Sequence, residues 1–214
     1  RMDGKFVTKD GMLNAERTAA SQTHVRADGW WRALLIWEHP LWSALLAMIV
    51  YTMFAANDAA FENTSLWRVS EYGYFNYLAD AFLHGQLYLR ELPATTHDLS
   101  YFNDNYYLYW PPFPAVLLMP FVALWGTQFS DVLFTIAVAG FNVALVALLL
   151  RRATERKLIE LDAVQRGLLV LFFTFGTVHL TLAPYGRVWF TAQLIGFACV
   201  ALTYLIALTM RGTP

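Results

Sequence analysis

The chain has 214 residues, 57% of them apolar and 14% charged, with a mean hydropathy of +0.41; soluble domains carry about 45–50% apolar and about 25% charged residues. A net charge of −1 leaves no global basic field for nucleic acid, and a single cysteine, Cys199, precludes an intrachain disulfide. Uncharged stretches at 39–57, 105–130, 132–150, 167–186 and 188–210 approach or exceed the roughly 20 residues that a bilayer core requires, which excludes a secreted domain, a DNA-binding domain or a soluble enzyme and marks a polytopic membrane protein.

Residues 1–33 read as a polar N-terminal tail. Six Lys/Arg lie within 1–37 and five within 151–166 (Arg151, Arg152, Arg156, Lys157, Arg166), whereas 57–111 holds only Arg68 and Arg90 against seven acids. Positive residues favour the cytoplasmic side, so the tail and 151–166 are assigned there and 57–111 to the outer, extracytoplasmic side. The chain starts at Arg1 and stops just beyond an apolar span, as a piece of a longer protein would.

The first span is expected at about 34–56. The outer loop 57–111 follows, too long for a simple connector, with eight of the 11 tyrosines. Within it, SEYGYFNYLADAFLH (70–84) spaces Phe75, Leu78, Ala79, Phe82 and Leu83 by three and four, the stripe of an amphipathic helix lying in the headgroup plane and ended by Gly85. Glu71 opens that stripe, where a carboxylate stabilises a helix N-terminus or serves as a base. His97 and Asp98 follow Thr95-Thr96 in a polar turn, and Asp98 suits an N-cap equally well.

Pro112–Trp125 is short and carries Pro112, Pro114 and Pro120, the pattern of a re-entrant or interfacial helix rather than a crossing. Further crossings are expected at 130–150, 167–184 and 188–210, giving about four; a fifth, through Pro112–Trp125, would move the 151–166 cluster outside. The fold class is thus all-α, a transmembrane bundle over 34–210 with amphipathic helices in the outer loop. Asn142 reads as an interhelical hydrogen-bonding residue and His179 as a neutral histidine bonded to a neighbouring helix. Arg187, in Pro184-Tyr185-Gly186-Arg187-Val188-Trp189, suits a phosphate through its planar fork, or else snorkels as an interfacial cation. No Cys/His cluster, Gly-rich phosphate loop or hydrolase motif occurs, so no metal or cofactor is implied.

One span, the loop YFNYLADAFLHGQLYL, the run HDLSYFNDNYYLYWPPFPAVLLMPFVALWG and a span closing on LLLRR together resemble the N-terminal part of the type-C-fold membrane glycosyltransferases, the superfamily of protein mannosyltransferases and aminoarabinose transferases. In that group an acidic residue of the first outer loop stands about eight residues before an Ile/Leu-Ala pair; here Glu71 stands seven before Leu78-Ala79. The resemblance implies transfer of a sugar from a polyprenyl-phosphate donor in the membrane, with Glu71 or Asp98 as base or sugar-orienting acid and His97, Asp104, Tyr109 and Arg187 binding substrate. Two charged positions common in the group are here Tyr109-Trp110 before the Pro-Pro pair and Leu182-Ala183 before Pro184. Those departures suit a second reading, a non-catalytic accessory subunit of a larger membrane complex; fold resemblance alone does not establish activity. Partners are then membrane lipids and a polyprenyl-phosphate sugar, or the subunits of such a complex.

Overall fold

A computed structural model describes residues 35–61 and 65–210; the 1–33 tail falls outside them. Among the described residues, 35–38 are helical and the longer elements are α1 (Pro40–Phe61), α2 (Tyr74–Leu83), α3 (Phe113–Trp125), α4 (Asp131–Glu155), α5 (Ala163–Phe175), α6 (Val178–Leu182) and α7 (Val188–Met210), with a two-stranded sheet of β1 (Leu99–Phe102) and β2 (Asn105–Leu108) between α2 and α3. Among the described residues, α1, α4 and α7 are the three helices long and apolar enough to cross a membrane. At about 1.5 Å per residue they reach roughly 30 Å or more, whereas the 13 residues of α3 and of α5 reach about 20 Å.

α4 is the centre of the bundle: half of its apolar window is buried, against 28% for α1 and 22% for α7. Small residues let α1 approach it. Ala47, Tyr51 and Ala55 pack against Ile136, Ala139 and Val143, and a methyl group on Gly140 would collide with Met48. On its other side α4 meets α7 through Leu145, Ala198 and Ala201 and through two polar links, Thr135 Oγ1 to Thr191 Oγ1 at 2.7 Å and Asn142 Nδ2 donating to the Leu194 carbonyl at 2.9 Å. Buried polar links of this kind need a partner on the facing helix, as the reading of Asn142 required.

Residues 163–186 return along α4 in two pieces. Asp162 and Gln165 form a reciprocal capping box at the start of α5, close to the Glu155 end of α4, where Arg166 pairs with Glu38. The helix breaks at Gly176, and Thr177 caps α6 by accepting from the His179 N–H. A break releases carbonyls from the helical ladder, and Tyr51 of α1 takes one, donating to the Thr174 carbonyl at 3.1 Å. The Tyr51 oxygen also lies 3.0 Å from His179 Nδ1, so a proton on Nδ1 satisfies both contacts. The chain finishes this return at Gly186, against Asp131 at the opposite end of α4.

The loop after α1 is folded, and not wholly α-helical. α2 turns Tyr74, Phe75, Leu78 and Ala79 onto Ala115, Leu118 and Val122 of α3. Its apolar stripe therefore faces protein, leaving Leu83 exposed. Asn76 anchors it by donating to the carbonyls of Thr127 and Phe129 at 3.0 and 2.6 Å. The helix starts three residues after Glu71, which lies in the preceding turn; the stripe begins in the sequence before the backbone becomes helical. Gly85, at φ +73°, follows the end of α2 as expected.

The hairpin was not foreseen in the all-α reading. Asn103 and Asp104 both take positive φ (47° and 58°), the two-residue turn whose twist matches antiparallel strands. Leu99 then faces Leu108, and Phe102 faces Asn105. The run of aromatic residues at 101–109 hides the alternation by which strands are usually recognised, because the ribbon's exposed face is as aromatic as its packed one.

Candidate functional site

At the Asp131 end of α4, three segments meet: the turn at 65–73, the start of α4, and the α6–α7 turn at 183–187. They are joined through one carboxylate. Asp131 is only 3% exposed. Its Oδ1 accepts from the Ser70 N–H at 2.8 Å and its Oδ2 from the Ser70 hydroxyl at 2.6 Å, while that hydroxyl also lies 3.0 Å from the Gly186 carbonyl. Glycines permit the approach. A methyl group on Gly186 would sit 2.7 Å from Asp131 Cγ and from the Val132 nitrogen, and one on Gly73 would sit 2.6 Å from Asp131 Oδ2. The Val188 N–H completes the junction by donating to the Tyr72 carbonyl at 3.2 Å.

Beside this junction is a cavity of about 450 Å³, whose charged lining is Asp58 at the end of α1, Arg68, Glu71 and Arg187, with Tyr72 and Tyr185 beside them. Tyr72 and Tyr185 carry the Arg187 guanidinium, whose carbon lies 5.7 and 5.4 Å from their ring centroids. Aromatic faces orient such a cation without neutralising it. Among the described residues neither Arg68 nor Arg187 pairs with a carboxylate within 4 Å. The cavity thus presents two guanidinium forks and two carboxylates, a set able to hold a phosphate and to accept a proton from a neighbouring hydroxyl.

Of the residues singled out from sequence, Glu71 and Arg187 line this cavity; His97, Asp98, Asp104 and Tyr109 belong instead to the hairpin and its approach. Asp98 precedes β1 and caps no helix. Its Oδ1 accepts from the Tyr109 hydroxyl at 2.8 Å, which holds the phenol above its ordinary pKa because the charged acceptor favours the protonated form. Asp104, in the exposed turn, accepts from Tyr101 at 2.7 Å with the same consequence for that phenol. His97 is exposed in the turn before β1.

Sequence reasoning missed Arg68, Asp58, Ser70 and Asp131. One signal for Asp131 was available: it is the sole charge interrupting the apolar run from 105 to 150. No protein-family model, curated protein or solved structure matches the chain.

Proposed function

We propose that the chain is a membrane glycosyltransferase-like protein that takes a sugar from a polyprenyl-phosphate donor at the outer face of the membrane. The supporting observation is the cavity at the Asp131 end of the bundle, with Arg68 and Arg187 available to the donor phosphate and Glu71 beside them. In this reading Glu71 accepts the proton of an acceptor hydroxyl as that oxygen bonds to the anomeric carbon. The bond from the anomeric carbon to phosphate breaks, and polyprenyl phosphate departs with its charge held by the two arginines.

The reading includes a topology. α1, α4 and α7 cross the bilayer, the broken pair α5–α6 makes a fourth crossing, and α3 is re-entrant or interfacial, in line with its length and its Pro120. The N-terminus and the basic cluster after α4 are cytoplasmic, and 57–111 is extracytoplasmic.

The test is native mass spectrometry of the chain in lipid nanodiscs with polyprenyl phosphate, together with release of polyprenyl phosphate from a set of polyprenyl-phosphate hexoses. Retention of the lipid by the parent, a loss of about tenfold in Arg187→Ala, and release abolished in Glu71→Gln with retention intact are the expected results. Equal retention by parent and Arg187→Ala would reject the assignment.

One observation favours the second reading, an accessory subunit of a larger membrane complex. α1 and α7 leave Leu41, Trp42, Ile49, Met53, Val200 and Tyr204 exposed, wide faces able to seat further helices as well as lipid. Stoichiometric co-purification with other membrane subunits and no retained polyprenyl phosphate would establish it.

A further inference from the structure

The cavity at the Asp131 end of the bundle carries more charge than a phosphate uses. Its lining brings Arg68 and Arg187 together with Asp58 and Glu71, and among the described residues none of the four forms an ion pair within 4 Å. All four are within reach of a ligand, for Arg68 and Glu71 are exposed and Asp58 and Arg187 half-buried. Two charges of each sign, held around an opening of about 450 Å³, cancel overall without satisfying one another.

A ligand with negative charge alone answers half of this set. A phosphodiester held by the two guanidinium forks leaves both carboxylates facing a further negative charge, and close like charges disfavour one another. A ligand that carries an ammonium beside its phosphate supplies the missing sign. Its N–H donors match the carboxylates as phosphate oxygens match the forks. The aromatic rings select the kind of ammonium. A quaternary ammonium is recognised by open aromatic faces, whereas Tyr72 and Tyr185 already carry the Arg187 guanidinium on theirs. A primary ammonium, which a carboxylate hydrogen-bonds directly, fits the groups that remain.

The position of the cavity selects a lipid. Its wall includes Ala55 and Asp58 near the end of α1, Val132 in the first turn of α4, and Arg187 immediately before α7. These are the corresponding ends of the three helices long and apolar enough to cross a membrane, the level at which lipid headgroups lie. About one turn before Asp58 on α1, Met53 and Phe54 are 66% and 53% exposed, an apolar surface for acyl chains.

We propose that this cavity binds the headgroup of a phospholipid bearing a phosphate and a primary ammonium, as phosphatidylethanolamine does, with Arg68 and Arg187 on the phosphate and Asp58 and Glu71 on the ammonium. The proposal shares its arginines with the sugar-donor reading and makes a membrane phospholipid the donor's competitor. It needs neither a sugar nor a transfer reaction.

The test is native mass spectrometry of the full chain released from nanodiscs that hold equal amounts of phosphatidylethanolamine, phosphatidylcholine and phosphatidylglycerol with identical acyl chains. The parent is expected to retain phosphatidylethanolamine over both others. Asp58→Asn should lower its preference over phosphatidylglycerol about fivefold or more, with phosphatidylglycerol retention undiminished, and Arg187→Ala should lower retention of both. Retention of phosphatidylcholine or phosphatidylglycerol by the parent as well as phosphatidylethanolamine, or an unchanged preference in Asp58→Asn, would overturn the proposal. A preference for phosphatidylethanolamine in a chain that retains no polyprenyl phosphate would sink the donor reading and leave this one standing. Polyprenyl phosphate lost on Arg187→Ala, with no preference among the phospholipids, would do the reverse.

Discussion

Asp131 and Asp98 are hidden to nearly the same degree, 3% and 5% exposed, yet their oxygens are treated differently. Both oxygens of Asp131 are taken up by Ser70, and Gly73 and Gly186 admit the carboxylate where the Cβ of any other residue would collide with it. Asp98 has one oxygen bound by Tyr109 and the other without a partner. A buried carboxylate whose lone pairs are consumed by the fold is an architectural tie, whereas one that is half consumed is a weaker one. On that ground Asp131 ties together the segments that carry Glu71 and Arg187, whereas Asp98 ties the start of the hairpin to Tyr109 through one oxygen only.

Breaking the tie should have the largest effect. Asp131→Leu removes the acceptor of the Ser70 N–H, leaves the Ser70 hydroxyl only the Gly186 carbonyl, and should lower stability by about 2–3 kcal/mol, read as a drop in Tm in nanodiscs. Retention of polyprenyl phosphate should fall as well, although no cavity-lining arginine has changed. If stability holds and retention alone is lost, Asp131 belongs to the binding machinery and the contrast with Asp98 fails.

Gly186→Ala should come next, at about 1–3 kcal/mol of overpacking. Its methyl meets the Val132 nitrogen, an atom of backbone that cannot rotate away. Asp98→Asn keeps an acceptor for Tyr109 and should change stability by less than about 1 kcal/mol. Comparable Tm losses in Asp98→Asn and Asp131→Asn would place the two carboxylates in one structural class. Tyr101→Phe should be the mildest, with Tm and binding unchanged, because the Tyr101–Asp104 link lies in the exposed turn where water replaces it.

The reach of sequence reasoning differs between the bundle and the loop. Three of the long apolar runs are legible because a helix in lipid must satisfy every backbone group internally, which demands length and hydrophobicity that composition cannot conceal. The run at 167–186 gave no warning that it breaks at Gly176, since the break is stabilised from another helix, by Tyr51 reaching the Thr174 carbonyl across 123 residues of chain. The loop was less legible again. Its aromatic residues suit an interfacial belt, a strand and a packed helix alike, and the hairpin depends on two consecutive left-handed residues, Asn103 and Asp104, which the sequence marks only weakly.

By itself, the sequence determined that this is a helical membrane protein with an acidic, tyrosine-rich segment between its first two apolar spans. It also singled out Glu71, Asp98, Tyr109 and Arg187 as the polar groups worth following. Tertiary structure alone decided which of them share a site. Glu71 joins Arg68 and Arg187 at one cavity, because Ser70, Asp131 and Gly186 draw together segments some 60 and 115 residues apart, and Asp98 joins Tyr109 elsewhere. Hydrophobic periodicity is a local property that survives in the sequence. The pairing of one carboxylate with one hydroxyl depends on geometry to within a few tenths of an ångström, which no local pattern records.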